Sequence, residues 1–432
     1  MNTESVPRQR WLRIIPPALI MYTISYVDRT NISLGLDPKI STMMRDLGMD
    51  PKMAGTAAGI FFIGYILLQL PGGHLASHWS ARKVVSLCLV AWGICAAACG
   101  LTQNYRQFEV VRFLLGVAES AVYPATLVLL ANWFPRAERA RANSAWMLCQ
   151  PIAVAGSAPI TTWLLGALGW RQMLVIEGLL PFLWLPIWWF CIRDHPREAK
   201  WISPEEKNFL EATLKEEAEQ RERPQQKVSW VAVLAQPTLF VMVGICFLFN
   251  CAAYGCMTFF TDRLKGQGFT PVQYGILFAV PYVVTGVAMT LVSWHSDKKH
   301  ERRGHAAVVY VVSGVSLILS VVLSSHFWVA YALLCLAIPG PFAALAPFWA
   351  IPTETLPGSV VGVAMGLVNA FGNVGGFAGP FVVGWMLKEY HSTAIAFTAL
   401  GGALLGCAAL AFLLPQSVRQ NQNIAAAVPV VK

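Results

Sequence analysis

The chain alternates long apolar runs with short polar ones. Twelve apolar stretches can be marked, at about 11–36, 53–76, 84–101, 109–133, 143–167, 172–192, 231–260, 271–294, 306–324, 327–351, 359–387 and 392–414. Each approaches or exceeds the roughly 20 residues with which a helix crosses the hydrocarbon core of a bilayer. In lipid every backbone N–H and C=O must be satisfied within its own segment, which selects helices. The pattern predicts an all-α integral membrane protein with twelve transmembrane helices.

One long polar segment, 193–230, separates six stretches from six. The predicted organisation is a first six-helix bundle over 1–192, a cytoplasmic linker over 193–230, and a second bundle with a short cytoplasmic tail over 231–432. Within the linker, Ser203-Pro204-Glu205-Glu206 reads as an N-cap, a proline at N1 and a capping-box glutamate. It predicts an amphipathic helix over about 204–222, expected to be a solvated spacer because its charges alternate around Phe209, Leu210 and Leu214. The halves also look duplicated. Gly73–Ser77 precedes Ser293–Asp297 by 220 positions, and Ala155–Pro159 precedes Gly375–Pro380 by 221, counted at the last residue of each. Two like halves around a central cavity is the organisation of alternating-access transporters.

Composition agrees: 56% of 432 residues are hydrophobic and 13% charged, with mean hydropathy +0.53, too apolar for a wetted surface. The net charge of +9 then has an explanation other than nucleic acid. With the N-terminus placed in the cytoplasm, twenty-two of the 32 basic residues fall in inner segments and eight in outer ones. This asymmetry predicts that both termini are cytoplasmic. The two left over, Arg29 and Arg112, are the cations placed within the membrane. The ten cysteines lie in or beside apolar runs without CxxC or His spacing, so packing is expected and no metal. No cleavable signal peptide is expected, because the first run is full-length and carries Pro16-Pro17 and a charged pair.

That pair, Asp28-Arg29, is the most informative feature. A charge at bilayer depth costs roughly 2.5 kcal/mol or more, so a retained pair points to an ion or substrate pathway. Neighbours one residue apart diverge by about 100° on a helix, so the two face different partners. Arg29 offers a planar fork of donors that stays charged when buried, which suits a carboxylate; mutual neutralisation with Asp28 is the bland alternative. In the fourth stretch Arg112 and Glu119 share a face, about 10 Å apart along the axis, with Gly116 between them. There Arg112 and Glu119 can bend together, or Asp28 can reach Arg112; a static brace is the alternative to proton handling. Tyr65 and Gln69, Gln150 beside Pro151, and Asn369 with Asn373 place polar groups at depth, either for a ligand or for interhelical hydrogen bonds. Tyr254, Phe259 and Trp349 are aromatic wall candidates. Glu177 is expected near the outer surface in a structural role, and the glycines of the eleventh stretch predict close helix approach and a bend.

Several motifs carry a family resemblance. Gly73-His-Leu-Ala-Ser-His-Trp-Ser-Ala-Arg82-Lys83 resembles the loop motif between helices 2 and 3 of the major facilitator superfamily, with Ser77 where that family has an Asp and Ser80 for a Gly; Asp297-Lys298 keeps the acidic residue in the second half. Ser25-Tyr-Val-Asp-Arg-Thr-Asn31, Arg112-Phe-Leu-Leu-Gly-Val-Ala-Glu119, Phe348-Trp-Ala-Ile-Pro-Thr353 and Asn369-Ala-Phe-Gly-Asn-Val-Gly-Gly-Phe-Ala-Gly-Pro380 resemble the anion:cation symporter family, in its tartrate, phthalate and hydroxyphenylacetate permease-like branch. The resemblance implies two pseudo-symmetric six-helix bundles and proton-coupled import of a small organic anion across a bacterial inner membrane. A facilitator or exchanger without protons is the alternative. It implies substrate contacts at Arg29, Tyr65, Gln150 and Asn373; Asn369, Tyr254 and Trp349 are expected beside them from their own residue types and helical positions. Proton coupling is implied for Asp28, Glu119 and Arg112, and gating for Ser77, Arg82, Lys83 and Asp297. No cofactor beyond the proton gradient, no nucleic acid and a monomer in the bilayer are expected. Nucleophile elbows, zinc helices and phosphate loops are absent from the sequence, which argues against an enzyme.

Overall fold

The computed structural model describes residues 8–222, 236–264, 267–299, 301–355 and 358–415. The predicted boundary at 230/231, Lys265 and the tail with Arg419 and Lys432 lie outside them. All described elements are helical. The first half comprises α1 (Gln9–Gly35), α2 (Pro51–Leu67 and Gln69–His78, meeting at 42°), α3 (Ala81–Cys99), α4 (Tyr105–Trp133), α5 (Arg136–Leu168) and α6 (Trp170–Cys191). The second comprises α7 (Pro237–Leu264), α8 (Pro271–Lys299), α9 (Arg303–Val322), α10 (Phe327–Pro352), α11 (Gly358–Tyr390) and α12 (Thr393–Ala411). Ten are single apolar spans, α2 is an eleventh when its two arms count as one, and α1 is long enough at 27 residues but interrupted by Asp28 and Arg29.

The halves meet along α2 with α11 and α5 with α8. Counted within each half, this is the second helix of one against the fifth of the other, twice, as a pseudo-twofold repeat requires. One end of this seam is close-packed. A Cβ built on Gly55 would lie 2.2 Å from the Pro380 carbonyl oxygen, one on Gly384 2.3 Å from that of Pro51, and one on Gly275 2.2 Å from Thr162 Oγ1. Only glycine lets the backbones come this near. Lys388 bridges to Asp50 at 2.8 Å at the same end. Towards the opposite end the seam loosens to ordinary packing, with a Cβ on Gly366 3.6 Å from Leu70 and one on Gly286 3.8 Å from Pro151, and beyond it neither Gln69–His78 nor Arg136–Met147 packs along a helix of the second half. The molecule is shut at the Asp50 end and parted at the Ser77 end.

Four prolines break the helices around the middle. New helical segments begin at Gln69, Val122, Cys149 and Leu345, and in each the third residue is proline: Pro71, Pro124, Pro151 and Pro347. Proline removes the donor for the carbonyl four residues earlier and clashes with it, so the ladder is interrupted just upstream. Gln69, Glu119, Gln150 and Trp349 all lie at or beside these breaks. Such backbone is tolerated at membrane depth where it lines a cavity.

The helix Pro204–Glu222 forms where expected, with Ser203 Oγ accepting from Glu206 N at 3.2 Å. The expectation of a solvated spacer is corrected: Glu206 and Leu210 are fully buried. Glu206 does not complete a capping box. Its carboxylate accepts from the backbone of Gln9 and Arg10 at 3.0 and 3.3 Å and from the Arg10 guanidinium, capping α1 instead. Arg10 also pairs with Glu138 at 2.6 Å, and Glu217 with Arg139 at 3.3 Å. An acidic side chain at a helix N-terminus satisfies orphan donors and complements the helix dipole, and here it docks the linker helix onto the first half.

Candidate functional site

A cavity of about 70 Å³ lies between the halves, lined from α1, α2, α4, α5, α7, α10 and α11. The seven residues expected to touch substrate, Arg29, Tyr65, Gln150, Tyr254, Trp349, Asn369 and Asn373, all line it. Arg29 is the one charged residue in the lining; amides and phenols supply most of its polar groups. Sequence reasoning missed Tyr22, Tyr26, Tyr123 and Asn250. A signal existed for three of them: Tyr22 and Tyr26 recur at helical spacing with Arg29, and Asn250 sits one turn before Tyr254.

Arg29 is almost fully buried and stands in an aromatic cage, its guanidinium 4.5 Å from the ring centre of Tyr26, 5.0 Å from Phe61, 5.1 Å from Tyr65 and 5.9 Å from Tyr22. Cation–π attraction holds such a group without consuming its N–H donors. Tyr22 and Tyr65 join by their hydroxyls at 3.1 Å, and Tyr26 and Tyr254 at 3.3 Å. The second of these pairs and the bond from Asn369 Nδ2 to Gln69 Oε1 at 3.1 Å cross between the halves.

Behind the cage, Arg29 Nη2 donates to Glu119 Oε2 at 3.1 Å, and Ser25 Oγ donates to the same oxygen at 2.6 Å. Glu119 Oε1 and Arg29 Nε, both buried, have no partner among the described residues. Asp28 faces away, as the 100° step predicts. Trp92 Nε1 donates to its Oδ2 at 2.5 Å and Asn31 Nδ2 to its Oδ1 at 3.4 Å. Arg112 neither bends to Glu119 nor bonds the Asp28 carboxylate. It donates to the backbone carbonyls of Asp28 at 3.3 Å and Ala57 at 3.4 Å, because Gly116 packs on Phe61 and brings α4 against the α2 backbone.

The gating residues do not form a latch across the halves in this structure. Ser77 donates to His74 O within its own helix at 2.9 Å, and Asp297 pairs with Arg302 of its own loop. Arg82 lies 4.2 Å from the Trp189 ring centre and donates to Ile192 O, and Lys83 sits over Trp79. The physical reason is the parting of the halves at that end. Phe259 is buried and stands outside the cavity lining. Glu177, seven residues into α6 from Trp170, is buried at 5% exposure.

Known proteins resemble the chain along its length. The sequence profile of the Major Facilitator Superfamily matches residues 18–380. An Agrobacterium vitis protein named "Putative tartrate transporter" is 30% identical over 98% of both chains. A quinolone resistance transporter of Acinetobacter baumannii is 31% identical, covering 90% of this chain and 89% of its own. A crystal structure of a bacterial homologue of the human lysosomal transporter Spinster, inward-facing and unoccupied, superposes with TM-score 0.74 at 16% identity, over 96% of this chain and 98% of that one.

Proposed function

This chain belongs to the Major Facilitator Superfamily of membrane transporters, and from that premise we propose that it carries a small organic anion together with protons by alternating access. The observation that carries this reading is that one guanidinium, Arg29, serves both the cavity and a buried carboxylate. A carboxylate substrate takes the fork of Arg29. Glu119 then loses its cation at full burial, and an uncompensated buried charge is costly enough that the group takes a proton instead. Substrate and proton therefore load together. The amides of Gln150, Asn250, Asn369 and Asn373 suit a hydroxylated acid, and the relative named for tartrate supports that class.

Glu119→Gln mimics the protonated carboxyl. In proteoliposomes it should keep exchange of labelled for unlabelled substrate, which requires no proton release, and lose accumulation driven by an inward proton gradient. Full gradient-driven accumulation in this variant would place the proton site elsewhere, with Asp28 next. A facilitator or exchanger is the second reading, and absence of proton uptake with substrate in the unaltered protein would select it. The quinolone relative raises export as the direction; the same vesicles, with the gradient reversed, decide between import and export.

The Ser77 end is assigned to the cytoplasm of a bacterial inner membrane, both termini inside, from the Lys and Arg asymmetry. A phosphatase reporter fused near Lys265 should be active and one near Glu216 silent; the reverse pattern would overturn the orientation. On this assignment the cavity faces inward and the protein works as a monomer, with no cofactor.

A further inference from the structure

Ser25 stands one turn before Arg29 on α1, fully enclosed, and its hydroxyl leaves its own helix. Thr30 and Ser33, further along α1, turn back to the carbonyls of Tyr26 and Arg29 at 3.1 and 3.3 Å. That is the ordinary course for a hydroxyl inside a helix. Ser25 crosses to α4 instead, where its Oγ donates to Glu119 Oε2 at 2.6 Å. Arg29 Nη2 donates to that same oxygen at 3.1 Å, so both donors fall on Oε2, and Oε1 has none among the described residues.

The two donors differ in what can draw them away. Arg29 lines the cavity and Ser25 stands outside the lining, so a carboxylate in the cavity competes for the first and leaves the second. A hydroxyl is also neutral: it can donate to Oε2 whether Glu119 is a carboxylate or an acid protonated on Oε1. The other titratable or charged groups around Glu119 are Asp28 on α1, Tyr65 on α2, Cys88 and Cys95 on α3 and Arg112 on α4. Among the described residues, none of these five is hydrogen-bonded to the Glu119 carboxylate.

We propose that Ser25 is a positioning residue of the proton step: it keeps hold of Glu119 when Arg29 turns to the substrate, leaves Oε1 as the oxygen that takes the proton, and sets the pH at which it does so. In that step the bond from Arg29 to Oε2 breaks, one proton forms an O–H bond at Oε1, and the hydroxyl proton of Ser25 stays on Ser25. Without the hydroxyl, the ionised carboxylate depends on Arg29 alone. A donor to the charged form favours that form, so Ser25 also makes the proton easier to give up once the substrate has left. This rests on the competition of substrate and Glu119 for Arg29 in the reading above.

Infrared difference spectra of the purified protein, titrated across the pH range in which it stays folded, test this with no substrate present. The protonated-carboxyl C=O band of Glu119 is identified as the one missing from Glu119→Gln. In Ser25→Ala, which removes a single oxygen, that band should have its titration midpoint about one pH unit higher, a hydrogen bond to a charged group being worth about a factor of ten in the proton equilibrium. The band should also move to higher frequency, because the Oε2 carbonyl has lost its donor. An unmoved midpoint and frequency, or a midpoint moved to lower pH, would overturn the proposal, as would loss of folding in Ser25→Ala, which would make the hydroxyl structural. A pH-sensitive dye in proteoliposomes of the unaltered protein checks the coupling reading by itself. Tartrate transport with no proton movement would remove that reading and the proposal with it, whereas coupled transport with an unmoved band would remove the proposal alone.

Discussion

Arg29→Lys should weaken substrate binding by about a hundredfold, and Arg29→Ala should abolish it, with the protein still inserted and folded. Lysine keeps the charge and removes the fork. A bidentate carboxylate then loses one charge-assisted hydrogen bond in a desolvated site, worth about 1.5–3 kcal/mol, and 1.4 kcal/mol is tenfold in affinity. The cage sharpens the loss. Tyr22, Tyr26, Phe61 and Tyr65 lie around a planar guanidinium, and a compact ammonium, more strongly hydrated, fits that environment poorly. Calorimetric titration of the purified variant with candidate organic acids measures the change. Near-normal affinity in the lysine variant would mean that the anion is held as a point charge or by other groups.

Gly55→Leu should stop transport by preventing closure of the Asp50 end. The new Cβ would lie 2.2 Å from the Pro380 carbonyl oxygen and 3.3 Å from the Gly384 Cα, both backbone atoms with no rotamer to escape into. Overpacking of this kind costs about 1–3 kcal/mol or more, enough to shift a two-state equilibrium by five- to over a hundredfold. The opposite conformation, with the Asp50 end parted, should then dominate. Spin labels at Lys52 on α2 and Lys388 on α11 would read this as a longer distance in the variant. An unchanged distance together with normal transport would show that the seam can adapt. Gly156 is the control, since nothing lies within 4 Å of a Cβ there.

The apolar rhythm placed most helix ends within about four residues of those observed, because a bilayer makes hydrophobic length a nearly sufficient cue; α5 starts seven residues before the expected 143, at Arg136, where a charged amphipathic turn carries no apolar signal, and the expected start at 231 lies outside the described residues. The divergence of Asp28 and Arg29 was legible for a similar reason, since one step along a helix fixes the angle. What escaped was set by partners distant in sequence. Glu206 reads locally as a capping-box residue, yet 196 positions away Arg10 offers a guanidinium and a bare helix N-terminus, and that competition wins. Arg112 and Glu119 share a helical face, but Arg112 is drawn to backbone carbonyls exposed to it by the close crossing at Gly116. The breaks beside Gln69, Glu119, Gln150 and Trp349 were written in the sequence as four prolines. Their meaning needed the rule that the ladder gives way upstream of the ring rather than at it.

The seam at the Asp50 end joins backbone to backbone, with few long side chains between. Attraction between atoms in such contact fades within a fraction of an ångström, so the joint is either made or absent, with little in between. For a membrane that stores energy as an ion gradient, this matters more than speed. A joint of long side chains could loosen by degrees and admit a thread of water through which ions drain the gradient unused. A glycine joint gives a carrier that insulates until the moment it turns.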